Sequence, residues 1–127
     1  MSLTPRVLLV NDSVDEREMY AECFRRQGFC TLQASSATDA FKLASELPPA
    51  AIITDVRLSG EADGLALTRR LKEDERMRGV PVVVLTGFVF PHDQEAAAQA
   101  GCDAFVPKPC LPDALSAVVE ELIRDRR

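Results

Sequence analysis

The sequence predicts a doubly wound α/β domain built around a five-stranded parallel sheet. Five short apolar runs alternate with five segments of helical periodicity, and three of the runs (VLLV, AIIT and VPVVVL) are almost continuously aliphatic. Such runs are typical of strands covered by helices on both faces, as in a parallel sheet. Their alternation with helices is the pattern of repeated right-handed crossovers. We expect the strands at Arg6–Val10, Cys30–Ala34, Ala51–Thr54, Val80–Leu85 and Ala104–Val106.

The five helices are predicted from the spacing of apolar residues and from start and stop signals. They are expected at Asp15–Gln27, Thr38–Leu47, Gly64–Asp74, Asp93–Ala100 and Pro112–Arg126. Gly28 and Gly101 follow the first and fourth helices as stop signals, Pro48 follows the second, and Pro112 suits the first turn of the last. At 127 residues the chain has the length of one domain. We therefore expect a single domain over residues 1–127, with no output domain.

Composition excludes several function classes. Hydrophobic residues make up 46% and charged residues 28%, and the formal net charge is −5, which argues against direct binding of nucleic acid. No apolar run approaches the roughly 20 residues that span a bilayer, and we expect no secretory leader. We expect a cytoplasmic protein with no membrane contact. The four cysteines lack metal-site spacing, so we expect them to be reduced and mostly buried. These are Cys23, Cys30, Cys102 and Cys110.

Polar residues collect at the carboxyl ends of the predicted strands, which is where doubly wound sheets carry their functional sites. The residues at these ends are Asn11, Asp12, Asp55, Thr86, Gly87 and Lys108. Asp12 and Asp55, with a backbone carbonyl from the following loop, could hold Mg²⁺, which prefers hard oxygen ligands. A carboxylate can also attack phosphorus, and Lys108 could then neutralise the phosphoryl oxygens. Thr86 or the Gly87 N–H could hydrogen-bond to another of these oxygens.

Each of these residues also has a purely structural interpretation. Asp12 could cap the first helix together with Ser13, and Asp55 could be a turn residue at a strand end. Thr86 could satisfy a backbone group, and Lys108 could be a solvated surface residue. The coincidence of four suitable side chains at four strand ends favours a phosphoryl-transfer site over four independent structural roles.

Four motifs carry a resemblance to a known family: VLLVNDSVDER, AIITDVRLSGEADGLAL, VPVVVLTG and GCDAFVPKP. In these motifs the sequence resembles the receiver domains of bacterial response regulators of two-component systems, in particular single-domain regulators similar to the chemotaxis type. The resemblance implies the flavodoxin-like receiver fold. It implies that Asp55 is the phosphoryl acceptor and that Mg²⁺ is bound by Asp12, Asp55 and the backbone carbonyl of Arg57. Asn11 would contribute through a water molecule.

The same resemblance implies a switch and a set of partners. Thr86 would close onto the phosphoryl group, Lys108 would bind it, and the ring of Phe105 would turn inward. The phosphoryl group would come from a histidine kinase or a phosphotransfer protein. The output would be binding of a downstream protein target, or a homodimer, through the face of the fourth helix, fifth strand and fifth helix. The chain would catalyse only its own phosphotransfer and dephosphorylation and would not otherwise be an enzyme.

The sequence departs from the family pattern in four places. Asn11 stands where a second acidic residue is usual, which predicts weaker Mg²⁺ binding. The loop RLSGEADG after Asp55 is longer than the common form and could shift the carbonyl of Arg57. Phe105 replaces the more usual Tyr. Phe88, two residues after Thr86, predicts slow loss of the phosphoryl group because this position influences the access of water.

Three other functions can be weighed on the same residues. The chain could be a non-phosphorylated interaction module of the same fold, which Asn11 and the long loop favour but which the presence of Asp55, Thr86 and Lys108 opposes. An aspartyl phosphatase would need an acid at the position of Arg57. A nucleotide-binding protein is disfavoured because glycine-rich phosphate-binding motifs are absent.

Overall fold

The computed structural model describes residues 4–125, which form one five-stranded parallel sheet flanked by five helices. The elements in chain order are β1 (Arg6–Val10), α1 (Val14–Arg26), β2 (Cys30–Ala34), α2 (Ala37–Glu46), β3 (Ala51–Thr54), α3 (Gly64–Glu73), β4 (Val82–Thr86), α4 (Pro91–Ala100), β5 (Ala104–Pro107) and α5 (Pro112–Asp125). The strand order is β2-β1-β3-β4-β5, and every neighbouring pair is parallel. This order is that of flavodoxin-like doubly wound sheets, so the predicted fold class is confirmed.

The hydrophobic core lies on both faces of the sheet because successive residues of a strand point to opposite sides. On one face Leu9 packs with Phe24 of α1 and Leu115 of α5. On the other face Leu8 packs with Leu67 of α3 and with the small residues of α2. The two clusters fix the sheet between two layers of helices, and so hold the carboxyl ends of β1, β3, β4 and β5 in fixed register.

The limits of β4 and α4 differ from the prediction. The strand begins at Val82 and not at Val80, because the Val80 N–H donates to the Met77 carbonyl in a turn. Helix α4 begins at Pro91, two residues earlier than expected, because proline suits the first helical position and the Asp93 carboxylate accepts the Phe90 N–H at 3.0 Å. The predicted end of α5 at Arg126 lies outside the described residues. No helix within residues 4–125 has the length and apolar character to cross a membrane.

The expectation that the four cysteines are mostly buried was wrong. Within the described chain all four are free thiols, as expected, but none is fully buried: Cys30 is exposed, and Cys23, Cys102 and Cys110 are half-buried. Cys30 is the first residue of β2. This strand lies at an edge of the sheet, so one of its sides has no neighbouring strand. Apolar character alone does not distinguish such an edge position from a central one.

Candidate functional site

Asp55 stands directly after β3, at the carboxyl edge of the sheet. Its backbone N–H donates to the Val10 carbonyl at 2.9 Å, which extends the pairing of β3 with β1 by one residue. The side chain is 10% exposed. Oδ1 accepts the N–H of Val56 at 2.7 Å, and Oδ2 accepts from the ammonium of Lys108 at 2.6 Å. The orientation of the Asp55 carboxylate is thus fixed by one hydrogen bond from the loop that follows β3 and one from Lys108, directly after β5.

Lys108 follows β5 and is fixed at both ends. Its backbone N–H donates to the Thr86 carbonyl at 2.9 Å, and the peptide bond to Pro109 is cis. Its ammonium lies 2.6 Å from a carboxylate oxygen of Asp55 and 2.6 Å from one of Glu16. Burial lowers the pKa of Lys108, but the hydrogen bonds to Asp55 and Glu16 outweigh it, and the pKa is raised above its ordinary value. The ammonium therefore stays charged at neutral pH.

Asn11 and Asp12 follow β1 and have different surroundings. Asn11 is buried; its side-chain Oδ1 accepts the Ser13 N–H at 2.8 Å and its backbone carbonyl accepts from the Arg17 guanidinium at 2.6 Å. Asp12 is exposed, and its carboxylate makes no hydrogen bond or ion pair within residues 4–125. Asn11 therefore shapes the turn into α1, whereas the Asp12 carboxylate faces solvent with its oxygens available.

The two predicted switch residues lie on neighbouring strands. Thr86, the last residue of β4, is fully buried, and its Oγ1 accepts the N–H of Phe88 at 3.1 Å. The hydroxyl hydrogen has no acceptor within the described chain, so it is available to a new one. Phe105 is half-buried on β5, paired in register with Val84. The Thr86 backbone carbonyl thus accepts the Lys108 N–H, but the Thr86 hydroxyl is not hydrogen-bonded to Asp55.

The loops after β3 and β4 meet through Arg57 and Phe88. The guanidinium carbon of Arg57 lies 5.6 Å from the centroid of the Phe88 ring, within the range of a cation–π contact. Both side chains are exposed, with Phe88 at 43%. Each residue is two positions beyond a site residue, Asp55 and Thr86 respectively, so the contact joins the two loops that carry them.

The long loop after Asp55 is tied back at two places. The Ser59 N–H donates to the Ser35 carbonyl at 2.9 Å, forming an isolated parallel bridge between residues 36 and 59. At the far end the Gly64 N–H donates to the Val56 carbonyl at 2.8 Å. The loop therefore begins and ends at fixed points, and Gly60, with a φ of 88°, turns the chain between them.

Glu16 is the site residue that the sequence did not reveal. Residues 13–16 read S-x-x-E, a pattern that predicts a capping box at the start of α1. One half of that box is present, since the Ser13 Oγ accepts the Glu16 N–H at 3.2 Å. The Glu16 carboxylate, however, binds Lys108 across the site. No local sequence signal indicates a contact between residues so far apart.

The donor set fits Mg²⁺ in type. Asp12 and Asp55 supply hard carboxylate oxygens after the neighbouring strands β1 and β3, and Mg²⁺ commonly takes only one or two carboxylates with water and a phosphate. Within residues 4–125 no cluster of three or more His, Cys, Asp or Glu residues forms a metal cage. Two carboxylates with a backbone carbonyl and water would suit Mg²⁺ without such a cage.

The fold and this arrangement are those of the receiver domains of two-component response regulators, and the chain belongs to that family. The family model for the response regulator receiver domain matches residues 7–120. The polar-differentiation response regulator DivK of Brucella ovis is 34% identical over 107 residues, which cover 84% of this chain and 86% of DivK.

Solved structures show the same fold. The signal receiver domain of a signal transduction histidine kinase from Syntrophus aciditrophicus is 31% identical with a TM-score of 0.89, covering 96% of this chain and 92% of that one. The receiver domain of a sensor histidine kinase from Pseudomonas aeruginosa is 26% identical with a TM-score of 0.87, covering 96% and 99%. That neighbour has a magnesium ion coordinated in its active-site cleft. The family assignment and the fold predicted from the sequence are thus confirmed.

Proposed function

We propose that the chain is a signalling switch that accepts a phosphoryl group on Asp55 from a histidine kinase or a phosphotransfer protein. The observation that carries the proposal is the 2.6 Å contact between the Asp55 carboxylate and the Lys108 ammonium at the carboxyl edge of the sheet. A partly buried carboxylate beside a fixed cation is suited to attack a phosphoryl group whose charge the cation then neutralises.

The transfer balances without a further reactant. A carboxylate oxygen of Asp55 forms a bond to phosphorus while the phosphorus–nitrogen bond of a phosphohistidine breaks, and the electron pair of that bond stays on the imidazole. Lys108 donates to a phosphoryl oxygen throughout. Asp12, Asp55 and the carbonyl of Arg57 would hold Mg²⁺, which when bound supplies positive charge to the phosphoryl oxygens.

The proposed conformational switch would begin with the negative charge that a phosphoryl group adds at Asp55. The Thr86 hydroxyl hydrogen has no acceptor within residues 4–125, so a phosphoryl oxygen on Asp55 would offer it one. Movement of Thr86 would free space next to β5, into which the Phe105 ring would turn. The face of α4, β5 and α5 would then change its affinity for a downstream protein. Such a shift of population requires the phosphoryl group to favour one arrangement by a few kcal/mol.

Labelling with a phosphodonor and substitution of Asp55 tests this proposal. We expect wild type to take up phosphate from acetyl phosphate with Mg²⁺, and Asp55→Asn to take up none. Asp39→Asn, an exposed aspartate in the first turn of α2, makes the same chemical change away from the site and should be labelled like wild type. Labelling of Asp55→Asn would contradict the proposal.

A second function is favoured by one observation. The Asn11 amide is neutral, and its Oδ1 already accepts the Ser13 N–H, so Asn11 supplies no charge for Mg²⁺. This suits a non-phosphorylated interaction module. Binding of beryllofluoride, which imitates a phosphoryl group, distinguishes the two. Binding with Mg²⁺ in the millimolar range supports the switch, and absence of binding supports the interaction module.

A further inference from the structure

The Lys108 ammonium lies between two carboxylates, and only one of them is the proposed phosphoryl acceptor. The Lys108 Nζ atom is 2.6 Å from Asp55 Oδ2 and 2.6 Å from Glu16 Oε1. The side chains of Lys108 and Glu16 are 23% and 25% exposed, so the pair is largely withdrawn from solvent. Both contacts are short, charge-assisted hydrogen bonds, a class stronger than ordinary surface ion pairs.

The Glu16 carboxylate is available to Lys108 because the Asn11 side chain takes its place as acceptor of the Ser13 N–H. In a full capping box, Glu16 would reach back and accept the N–H of Ser13. Here the Asn11 Oδ1 accepts that N–H at 2.8 Å, while Ser13 still caps the Glu16 N–H. The helix start is satisfied without the Glu16 carboxylate, which turns across the site to β5. The turn at Asn11 and the contact of Glu16 with Lys108 are therefore linked through the Ser13 N–H.

An ammonium has three N–H donors and no acceptor. Glu16 and Asp55 each take one, and the third remains for a phosphoryl oxygen. When Asp55 becomes an acyl phosphate, the oxygen bonded to phosphorus loses its charge and its hold on the ammonium weakens. Glu16 undergoes no such change. A lysine on a flexible four-carbon stem is thus kept at the site by a carboxylate that the reaction does not consume.

We propose that Glu16 is a positioning residue for phosphoryl transfer, which holds the Lys108 ammonium where charge develops on the phosphoryl group. This inference rests on the proposed phosphorylation of Asp55. Its physical basis is preorganisation: a cation already oriented toward the developing charge needs no rearrangement during the reaction. Glu16 itself does not contact the phosphoryl group.

The test is the rate of phosphorylation by acetyl phosphate with Mg²⁺, measured over a range of donor concentrations. Glu16→Gln keeps the shape of the side chain and removes its charge. We expect the maximal rate to fall about tenfold, the value of one charge-assisted hydrogen bond, with little change in the donor concentration for half-maximal rate. Glu16→Asp keeps the charge on a shorter stem and should recover part of the rate.

Glu22→Gln is the matched control, because Glu22 is on the same helix and pairs with Arg26 away from the site. It should phosphorylate like wild type. A Glu16→Gln protein that matches wild type in maximal rate, or exceeds it, overturns the positioning role while leaving phosphorylation of Asp55 intact. A wild-type protein that takes up no phosphate overturns both. A thermal melt of each variant separates a loss of rate from a loss of folding.

Discussion

Gly64, the first residue of α3, lies against the backbone carbonyl of Asp55 so closely that a β-carbon at residue 64 would overlap its oxygen. The Thr54 Oγ1 atom, which donates to the same carbonyl at 2.8 Å, would also be in contact with such a carbon. The first turn of α3 therefore packs directly against the backbone of Asp55, the proposed phosphoryl acceptor. Only a glycine permits this approach.

Gly64→Ala should destabilise the fold and displace Asp55. We expect the free energy of unfolding to fall by about 1–3 kcal/mol, since backbone atoms must shift to admit the methyl group. Chemical denaturation measures the loss. Gly79→Ala is the control, because a β-carbon at residue 79 would have no neighbour within 4 Å. Equal effects of the two substitutions would show that the close approach of Gly64 is unimportant.

The raised pKa of Lys108 predicts a dependence of stability on alkaline pH. A group that binds its proton more tightly in the folded state stabilises the fold fully below its unfolded pKa, and loses this contribution as pH rises through the folded pKa. The unfolded pKa of lysine is about 10.4. The difference in unfolding free energy between wild type and Lys108→Met should therefore decline as pH rises from the unfolded pKa through the higher folded pKa of Lys108. Denaturation at several pH values measures it, and a constant difference would contradict the raised pKa.

The contact between Arg57 and Phe88 predicts a slow loss of the phosphoryl group. A cation–π contact of an exposed pair contributes about 0.5–1 kcal/mol, so Phe88→Ala should accelerate hydrolysis of the acyl phosphate roughly threefold by opening the loops to water. The decay of radiolabelled protein measures the rate. Phe90→Ala removes a nearby exposed ring that makes no cation–π contact with Arg57 within residues 4–125, and should decay like wild type. Decay of the wild-type label within seconds would refute the prediction.

The cysteines should differ in their reaction with a thiol reagent. Cys30 is exposed at the edge strand, whereas burial raises the pKa of the Cys102 thiol and so reduces its thiolate fraction. We expect Cys30 to be alkylated first and Cys102 more slowly at neutral pH. Mass spectrometry of peptides after brief labelling identifies the order. Cys30→Ser should remove the fast phase, and its persistence in that variant would contradict the assignment.

The sequence predicted the parts of the molecule that depend on local pattern and topology. Continuous aliphatic runs located β1 and β3 to the residue, and the rule that parallel strands share a carboxyl edge placed Asp55 and Lys108 together, which the 2.6 Å contact bears out. Roles for these residues, including the metal ligands and the switch, stay predictions.

What the sequence could not predict depends on tertiary contacts. Glu16 was overlooked because S-x-x-E already has a complete local explanation, and its true partner is 92 positions away. The exposure of Cys30 was misjudged because it depends on the lateral order of strands, which places β2 at an edge of the sheet. The beginning of β4 was misplaced because the backbone of Val80 is used in a turn with Met77.

Two backbone hydrogen bonds hold the loop after Asp55, so a change in the length of the loop need not move Asp55. The Ser35–Ser59 and Val56–Gly64 hydrogen bonds hold the loop, and Asp63 caps the start of α3, so residues 60–62 form an exposed protrusion that can change in length or sequence between these anchors. Such a protrusion lies in the loop that follows Asp55, the proposed acceptor. If a donor protein approaches Asp55 from this side, substitutions in the protrusion would change the choice of donor and leave the site residues unchanged.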